Sequence, residues 1–148
     1  MGESLPGATG TNKECVFCAI ASGSRPAHRV LERETCMAFL DARPLFPGHV
    51  LLVPRTHRAT LVDLPSNDAA PFVEAAQALC VAIEDGLGAD GTFVGINNRV
   101  SQSVAHLHVH IVPRRRGDGL RGFFWPRQPY ESDAEAASFA ERIRRALH

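Results

Sequence analysis

The chain has 148 residues, 45% of them hydrophobic, and its 16 basic side chains balance 16 acidic ones. This length and composition predict a globular protein with one core and exclude a disordered or fibrous one. The neutral balance argues against bulk electrostatic binding to nucleic acid or to a membrane surface. No stretch resembles a membrane span, and no basic-then-apolar leader opens the chain. We therefore expect a cytoplasmic protein with neither nucleic acid nor a membrane as partner.

Hydrophobic patterning predicts helices and strands that follow one another in short groups. Residues 1–13 are rich in Gly, Ser and Thr and predict a flexible tail. Residues 14–148 are expected to form one domain, with a C-terminal loop and helix over 114–148. The predicted elements are a short helix at 15–23, strands at 29–32, 36–40 and 49–53, a helix at 66–85, strands at 92–96 and 104–113, and a last helix from Ser132. This order indicates the α+β class with an antiparallel sheet.

Both longer helices have recognisable ends. Ser66 or Asn67 can cap the first, and Gly86 and Gly88 are expected to terminate it. Its apolar stripe is predicted to comprise Phe72, Ala76, Leu79 and Ile83. The last helix begins with Ser132 and Glu135 at the spacing of a capping box.

Three histidines alternate with apolar residues in the predicted strand at 104–113: His106, His108 and His110. Side chains at i, i+2 and i+4 of a strand share one face, so we expect the three imidazoles to point the same way. The residues between them are expected to face a core, namely Ala105, Leu107, Val109 and Ile111. A row of buried polar side chains costs free energy unless it is satisfied, which favours a chemical role.

Two kinds of chemistry use imidazoles on one strand face. A His-x-His pair with a third ligand can hold catalytic zinc, and a single imidazole can act as a nucleophile while its neighbours bind charge. Gln102 and Ser103 precede the histidines, and Asn97 and Asn98 end the previous strand. These amide and hydroxyl donors suit phosphate oxygens, whereas carboxylates suited to a hydrolytic metal centre are absent nearby.

Residues 102–112 resemble the signature of the histidine-triad (HIT) family, in which three histidines alternate with apolar residues. The resemblance covers about residues 15–114 and extends upstream in order through Phe39-Leu-Asp41, Pro47-Gly-His49, Val53-Pro54 and Thr56-His57. It implies a small α+β domain that pairs as a homodimer by joining two sheets. It also implies an enzyme that hydrolyses or transfers nucleotides at the α-phosphate.

The resemblance assigns roles to individual residues. His108 would attack phosphorus and form a covalent nucleotidyl-histidine, and His110, which is glutamine in the uridylyltransferase branch, would bind the α-phosphate oxygens. The remaining implied contacts are Gln102 and Ser103 at the phosphate or leaving group, Asn97 near the ribose-phosphate, Asp41 at the ribose hydroxyls and His49 beside the triad. No carboxylate cluster for magnesium is evident, so we expect no magnesium requirement.

Cys15 and Cys18 have the spacing of half a structural zinc site, or of two cysteines that merely pack. The resemblance to a zinc-containing subset of the family implies that His57 and His106 complete the site. Such a site has four protein ligands and is structural. The two other cysteines, Cys36 and Cys80, are expected to be inert core residues.

The expected activity is hydrolysis that releases a nucleoside monophosphate, with nucleoside phosphoramidates or adenylylated conjugates as substrates. Cleavage of dinucleoside polyphosphates, nucleotide binding without turnover, and a metalloenzyme using the triad as zinc ligands are the alternatives. The aromatic run at residues 123–127 is expected at the edge of the site or of the dimer.

Overall fold

The computed structural model of the protein describes residues 15–121 and 127–147. The predicted tail at 1–13 and nearly all of the aromatic run at 123–127 lie outside these residues. The chain divides into two compact units, one ending at Arg116 and the other beginning at Gly117. In the described residues, the helices and strands follow one another in the predicted order. They are α1 (Val16–Ser22), β1 (Arg29–Glu32), β2 (Cys36–Leu40), β3 (Val50–Pro54), α2 (Ser66–Leu87), β4 (Gly91–Ile96), β5 (Val109–Arg114) and α3 (Asp133–Ala146).

The five strands form one antiparallel sheet in the order β1-β2-β3-β5-β4. The predicted α+β class with an antiparallel sheet is therefore confirmed. Because strand side chains alternate between faces, the sheet has two apolar surfaces. One surface packs against α2 and comprises Val50, Leu52, Val109 and Ile111 with Phe72, Ala75, Leu79 and Ile83 of the helix. The other packs against α1 and comprises Met37, Phe39, Leu51 and Val53 with Phe17 and Ile20.

The predicted strand at 104–113 is shorter than expected, because β5 begins only at Val109. Val109 is the first residue of β5 with partners on both sides, Leu52 on β3 and Ile96 on β4. Residues before it have no partner on the β4 side, since β4 ends at Ile96. His106 and His108 therefore precede the strand, and Ala105 is exposed rather than in the core.

The boundaries of α2 also differ slightly from the prediction. Pro65 occupies the N-cap position and the helix starts at Ser66, so neither Ser66 nor Asn67 caps it. Gly88 ends the helix with φ of 64°, a left-handed conformation that favours glycine. The buried stripe is Phe72, Ala75, Leu79 and Ile83, with Ala76 only partly buried.

The C-terminal unit contains α3. The Ser132 side chain accepts a hydrogen bond from the Glu135 backbone N–H at 3.1 Å, as the capping pattern predicted. Arg144 and Arg145 lie in its last turn, where the helix dipole favours cations. In the part of the chain that the structure describes, no helix is long and apolar enough to cross a membrane.

Candidate active site and metal cluster

A cavity of about 920 Å³ lies between α1, the segment at 25–28, the end of β2 and the start of β5. This volume is within the range of small-molecule sites. Its apolar wall includes Phe17, Ile20, Phe39 and Leu51, all at most 6% exposed. Its polar lining includes Asp41, Ser103, His108 and His110. An apolar wall beside converging polar groups can bind a planar base and an anion together.

The tautomer of His108 is fixed by the backbone. Its Nδ1 lies 2.7 Å from the carbonyl oxygen of His106. A carbonyl oxygen can only accept, so Nδ1 carries the proton and donates it. In the neutral ring Nε2 then keeps an unshared electron pair. The ring is 3% exposed and packs edge-on against Phe17, with ring centroids 5.0 Å apart. Such an imidazole can act as a nucleophile or accept a proton.

The tautomer of His110 is set through His49. The Leu45 backbone N–H donates to Nδ1 of His49 at 3.1 Å, so the proton of the neutral His49 ring is on Nε2. This Nε2 donates to Nδ1 of His110 at 3.0 Å. His110 is consequently protonated on Nε2, which makes that nitrogen a hydrogen-bond donor. The Asp41 carboxylate lies 3.7 Å from His49 Nε2.

Both rings of this pair remain neutral near pH 7. Burial lowers the pKa of His49, although the Asp41 carboxylate opposes the effect. Burial is also the main reason why the pKa of His110 is lowered to about 4, with further lowering by His108 and His49. The hydrogen-bonded chain of neutral rings described above is therefore the form present at neutral pH.

The predicted zinc ligands converge on one point. The ligand atoms of Cys15, Cys18, His57 and His106 all lie within 4.8 Å of one another. His106 Nδ1 is 3.4 Å from Cys15 Sγ and 3.5 Å from Cys18 Sγ. His57 Nδ1 is 3.4 Å from Cys18 Sγ. Tetrahedral zinc with ordinary Zn–S and Zn–N bonds separates sulfur and nitrogen ligands by about 3.5 Å. The four residues therefore fit a tetrahedral ion.

His106 is also in the protonation state that a metal requires. Its Nε2 donates to the Pro54 carbonyl oxygen at 2.9 Å, which leaves Nδ1 unprotonated and facing the two sulfurs. The ring is fully buried, and burial lowers its pKa to about 4. Cys15 begins α1 as its N-cap residue, so the cluster lies where this helix meets the residues before β5.

The three triad histidines do not form one site. Among the described residues, His106 groups with the two cysteines, whereas His110 groups with Asp41 and His49. The three rings nevertheless lie on the same side of the chain, as predicted. Phe17 of α1 packs edge-on against both His106 and His108, and the His108 ring packs against that of His110. A metal centre built from the three triad histidines together is not supported.

Three residues predicted at the site are outside the cavity lining: His49, which contacts His110 behind it, Asn97 and Gln102. Asn97 is half-buried directly after β4. Gln102 uses its side chain within the protein: Oε1 accepts from the Arg99 N–H at 2.9 Å, and Nε2 donates to the Ala59 carbonyl oxygen at 2.7 Å. Their direct contacts with a nucleotide remain predictions.

Several contributors to the site were not predicted. Phe17, which forms part of the apolar wall, lies in α1, where only the two cysteines were predicted to have a function. The backbone groups of Leu45 and Pro54, which fix two ring tautomers, carry no sequence signal at all. Arg25 and Arg43 also line the cavity. Nothing in the sequence distinguishes these two arginines from the other charged residues between them, and their convergence depends on the tertiary fold.

Comparison with known proteins gives a family for this arrangement. The family model described as the HIT domain matches residues 22–117. An uncharacterised HIT-like protein of Mycobacterium tuberculosis is 38% identical over 78% of this chain and 83% of its own length. The adenylylsulfatase HINT3 of Arabidopsis thaliana is 32% identical over 90% of this chain and 70% of its own. The adenosine 5'-monophosphoramidase hnt1 of Schizosaccharomyces pombe is 32% identical over 87% of this chain and 95% of its own.

Solved structures agree with this relationship. A protein from Streptococcus mutans superposes with a TM-score of 0.84 at 29% identity, over 99% of this chain and 92% of the other. A zinc-bound histidine triad family protein from Mycobacterium smegmatis superposes with a TM-score of 0.69 at 38% identity, over 89% and 97%. The family model covers most of the chain, and the relatives cover more. The chain therefore belongs to the HIT domain family.

Proposed function

We propose that this protein hydrolyses nucleotide derivatives at the α-phosphate, and that His108 is the nucleophile. The observation that carries the proposal is the backbone hydrogen bond that leaves Nε2 of His108 unprotonated on the lining of a cavity. Relatives named for adenylylsulfatase and monophosphoramidase activity support the reaction class. Nucleoside phosphoramidates and adenylylated conjugates are the substrates that we expect.

The reaction has two steps. In the first, Nε2 of His108 forms a bond to the α-phosphorus while the bond to the leaving group breaks, and the leaving group departs with the electron pair and takes up a proton from solvent. In the second, a water oxygen attacks the same phosphorus, the P–N bond to His108 breaks, and the nucleoside monophosphate leaves. The water proton is lost to solvent. The side chain is regenerated without any redox change.

The other residues lining the cavity stabilise and orient the substrate. His110 donates from Nε2 to a non-bridging phosphate oxygen, where negative charge grows in the transition state. The Ser103 hydroxyl donates near the same phosphate or the leaving group. Asp41 accepts from the ribose hydroxyls. The base packs against the apolar wall that contains Phe17 and Phe39, whose own rings meet edge-on with centroids 5.5 Å apart.

We also propose that the cluster of Cys15, Cys18, His57 and His106 holds zinc. The zinc-bound relative from Mycobacterium smegmatis and the tetrahedral spacing of the ligand atoms support this. All four ligands come from the protein, so the ion would stabilise the junction of α1 with the residues before β5 and take no part in the reaction. Thiolate ligands of this kind fit a reducing, cytoplasmic location.

A homodimer formed through β4 is a further part of the proposal. β4 is an edge strand of the sheet, and its Val94 side chain is 47% exposed. Adding the same strand of a second copy would satisfy the open edge and continue the sheet. Light scattering should give twice the mass of the chain, and Val94→Lys should reduce it to one chain. A wild-type mass of one chain at micromolar concentration contradicts this part.

The activity is tested with a nucleoside 5'-phosphoramidate, an adenylylated conjugate and a dinucleoside polyphosphate. We expect monophosphate release, and a mass increase of one nucleotidyl group that maps to His108 in samples quenched with alkaline denaturant, because the P–N bond of the intermediate is labile in acid. His108→Ala should lower kcat by at least roughly 10³-fold and abolish the mass increase. Preferred cleavage of the dinucleoside polyphosphate would identify the alternative substrate class. Tight nucleotide binding without any turnover or mass increase would identify a binding protein and overturn the proposal.

A further inference from the structure

The loop between β4 and β5 holds an unfavourable backbone conformation beside the cavity. Arg99 has φ of 69° and Ser101 has φ of 62°. Both are left-handed conformations, which residues with a Cβ rarely adopt. Such conformations persist only where surrounding interactions hold them, and they are common at functional sites. The loop leads directly into Ser103, which lines the cavity.

Side-chain amides hold this loop from both ends. Gln102 Oε1 accepts from the Arg99 N–H at 2.9 Å and thus closes the strained turn on itself. Gln102 Nε2 donates to the Ala59 carbonyl oxygen at 2.7 Å and ties the turn to a second segment. At the start of the loop, Asn98 Oδ1 accepts from the Leu61 N–H at 3.0 Å.

The second segment, residues 58–61, is itself held rigidly, and we call it the brace. Thr60 is only 4% exposed. Asp63 Oδ2 accepts from both the Thr60 N–H at 2.9 Å and the Thr60 hydroxyl at 3.0 Å. On the far side of Ser103, the Leu107 N–H donates to the Arg58 carbonyl oxygen at 2.6 Å. The brace therefore bonds to the chain on both sides of Ser103.

We propose that Gln102 is a positioning residue that fixes Ser103 at the cavity by holding the strained loop against the brace. The catalytic importance of Ser103 rests on the proposed function. The role of Gln102 in holding the loop rests only on the hydrogen bonds described above. Direct binding of substrate by Gln102 would require its amide to give up the bonds to Arg99 and Ala59. Neither bond is replaced elsewhere, so the cost of that alternative is high.

The first test measures the loop without any substrate. Trypsin cleaves after arginine, and the strained turn should protect the bond after Arg99 in the folded protein. Gln102→Ala should raise the rate of cleavage at this bond about tenfold, while the thermal midpoint changes by only a few degrees. The exposed Val100 lies in the same loop, and Val100→Ala serves as the control with unchanged cleavage. Equal cleavage rates for wild type and Gln102→Ala would overturn the proposed brace, even if no substrate were turned over.

The second test measures catalysis in a double-mutant cycle with Ser103→Ala. If Gln102 acts through Ser103, then Gln102→Ala should lower kcat about tenfold in the wild type and have little further effect in Ser103→Ala. Gln102→Glu keeps the acceptor for Arg99 but cannot donate to Ala59, so it should be intermediate. Ser101→Gly in the Gln102→Ala background should recover part of the lost kcat, because glycine adopts the left-handed conformation freely. Multiplicative effects of Gln102→Ala and Ser103→Ala would instead assign Gln102 a direct contact. Absence of turnover by the wild type would refute the proposed function and leave the proteolysis result to decide on the brace.

Discussion

The backbone oxygen of His106 lies 2.7 Å from Nδ1 of His108, so one residue of the triad fixes the tautomer of the next. The His106 side chain belongs to the cluster of candidate zinc ligands, whereas His108 lines the cavity. A single stretch of backbone thus connects the buried cluster to the candidate active site. Anything that shifts His106 must also shift the hydrogen bond that prepares His108.

Removal of His49 should weaken catalysis through the tautomer of His110. His49→Ala deletes the donor to His110 Nδ1, so the His110 ring can place its proton on either nitrogen. We expect kcat to fall roughly 10- to 100-fold. The decrease should not exceed the one caused by removing a whole hydrogen-bond donor to the oxyanion, because the His110 ring is still present. Steady-state kinetics measures this change. In a His110→Ala background the same substitution should have little additional effect, and full additivity of the two losses would contradict the relay.

Loss of one cysteine of the cluster should release the metal and destabilise the fold. Cys18→Ser is expected to reduce zinc from one ion per chain to a small fraction, measured by elemental analysis. The thermal midpoint should fall by roughly 10 °C or more, since about 3 kcal/mol corresponds to that shift for a domain of this size. Cys80→Ser is the matched control, because Cys80 is half-buried and lies outside the cluster. Equal midpoints for the two variants would argue against a structural metal.

Stability should decrease as the pH falls from about 6.5 to about 4. The pKa of His110 is lowered to about 4 in the folded protein, whereas an unfolded histidine titrates near 6.5. Between these values the unfolded chain binds more protons, so unfolding is favoured as the pH decreases. Burial of His49 lowers its pKa and acts in the same direction. Urea midpoints at several pH values measure the effect, and His110→Gln should give a shallower dependence. A midpoint in the wild type that is constant across this range would refute the expectation.

Substitution by alanine should have opposite effects on the stability of the protein at two glycines. Gly48 has φ of 97°, and a Cβ there would collide with Leu87 Cδ1. Gly48→Ala should destabilise the protein by about 2–4 kcal/mol through backbone strain and overpacking. Gly86 lies within α2 with no atom within 4 Å of an added Cβ. Gly86→Ala should therefore stabilise by about 0.5–1 kcal/mol. Chemical denaturation measures both, and the same sign for the two variants would be inconsistent with these contacts.

Local patterns were sufficient for much of the fold. The continuous apolar run at residues 36–40 predicted β2 with its observed bounds, and Ser132 with Glu135 predicted the start of α3. These features depend on neighbouring residues, so the sequence carries them directly. The spacing of the triad and of Cys15 and Cys18 likewise indicated residues that the structure brings into the cavity and into the cluster of candidate zinc ligands.

Long-range contacts decided the rest. Period-two alternation indicates extended chain but not where a partner strand ends, so the start of β5 at Val109 followed only from its pairing with Ile96. The tautomers depend on backbone groups of Leu45, Pro54 and His106, and backbone groups are the same for every residue type. Gln102 reaches Ala59, 43 residues away, rather than the cavity. The sequence by itself therefore determined which side chains are available for chemistry, whereas the tertiary structure determined their proton positions and their partners, because hydrogen bonds form between atoms that only folding brings together.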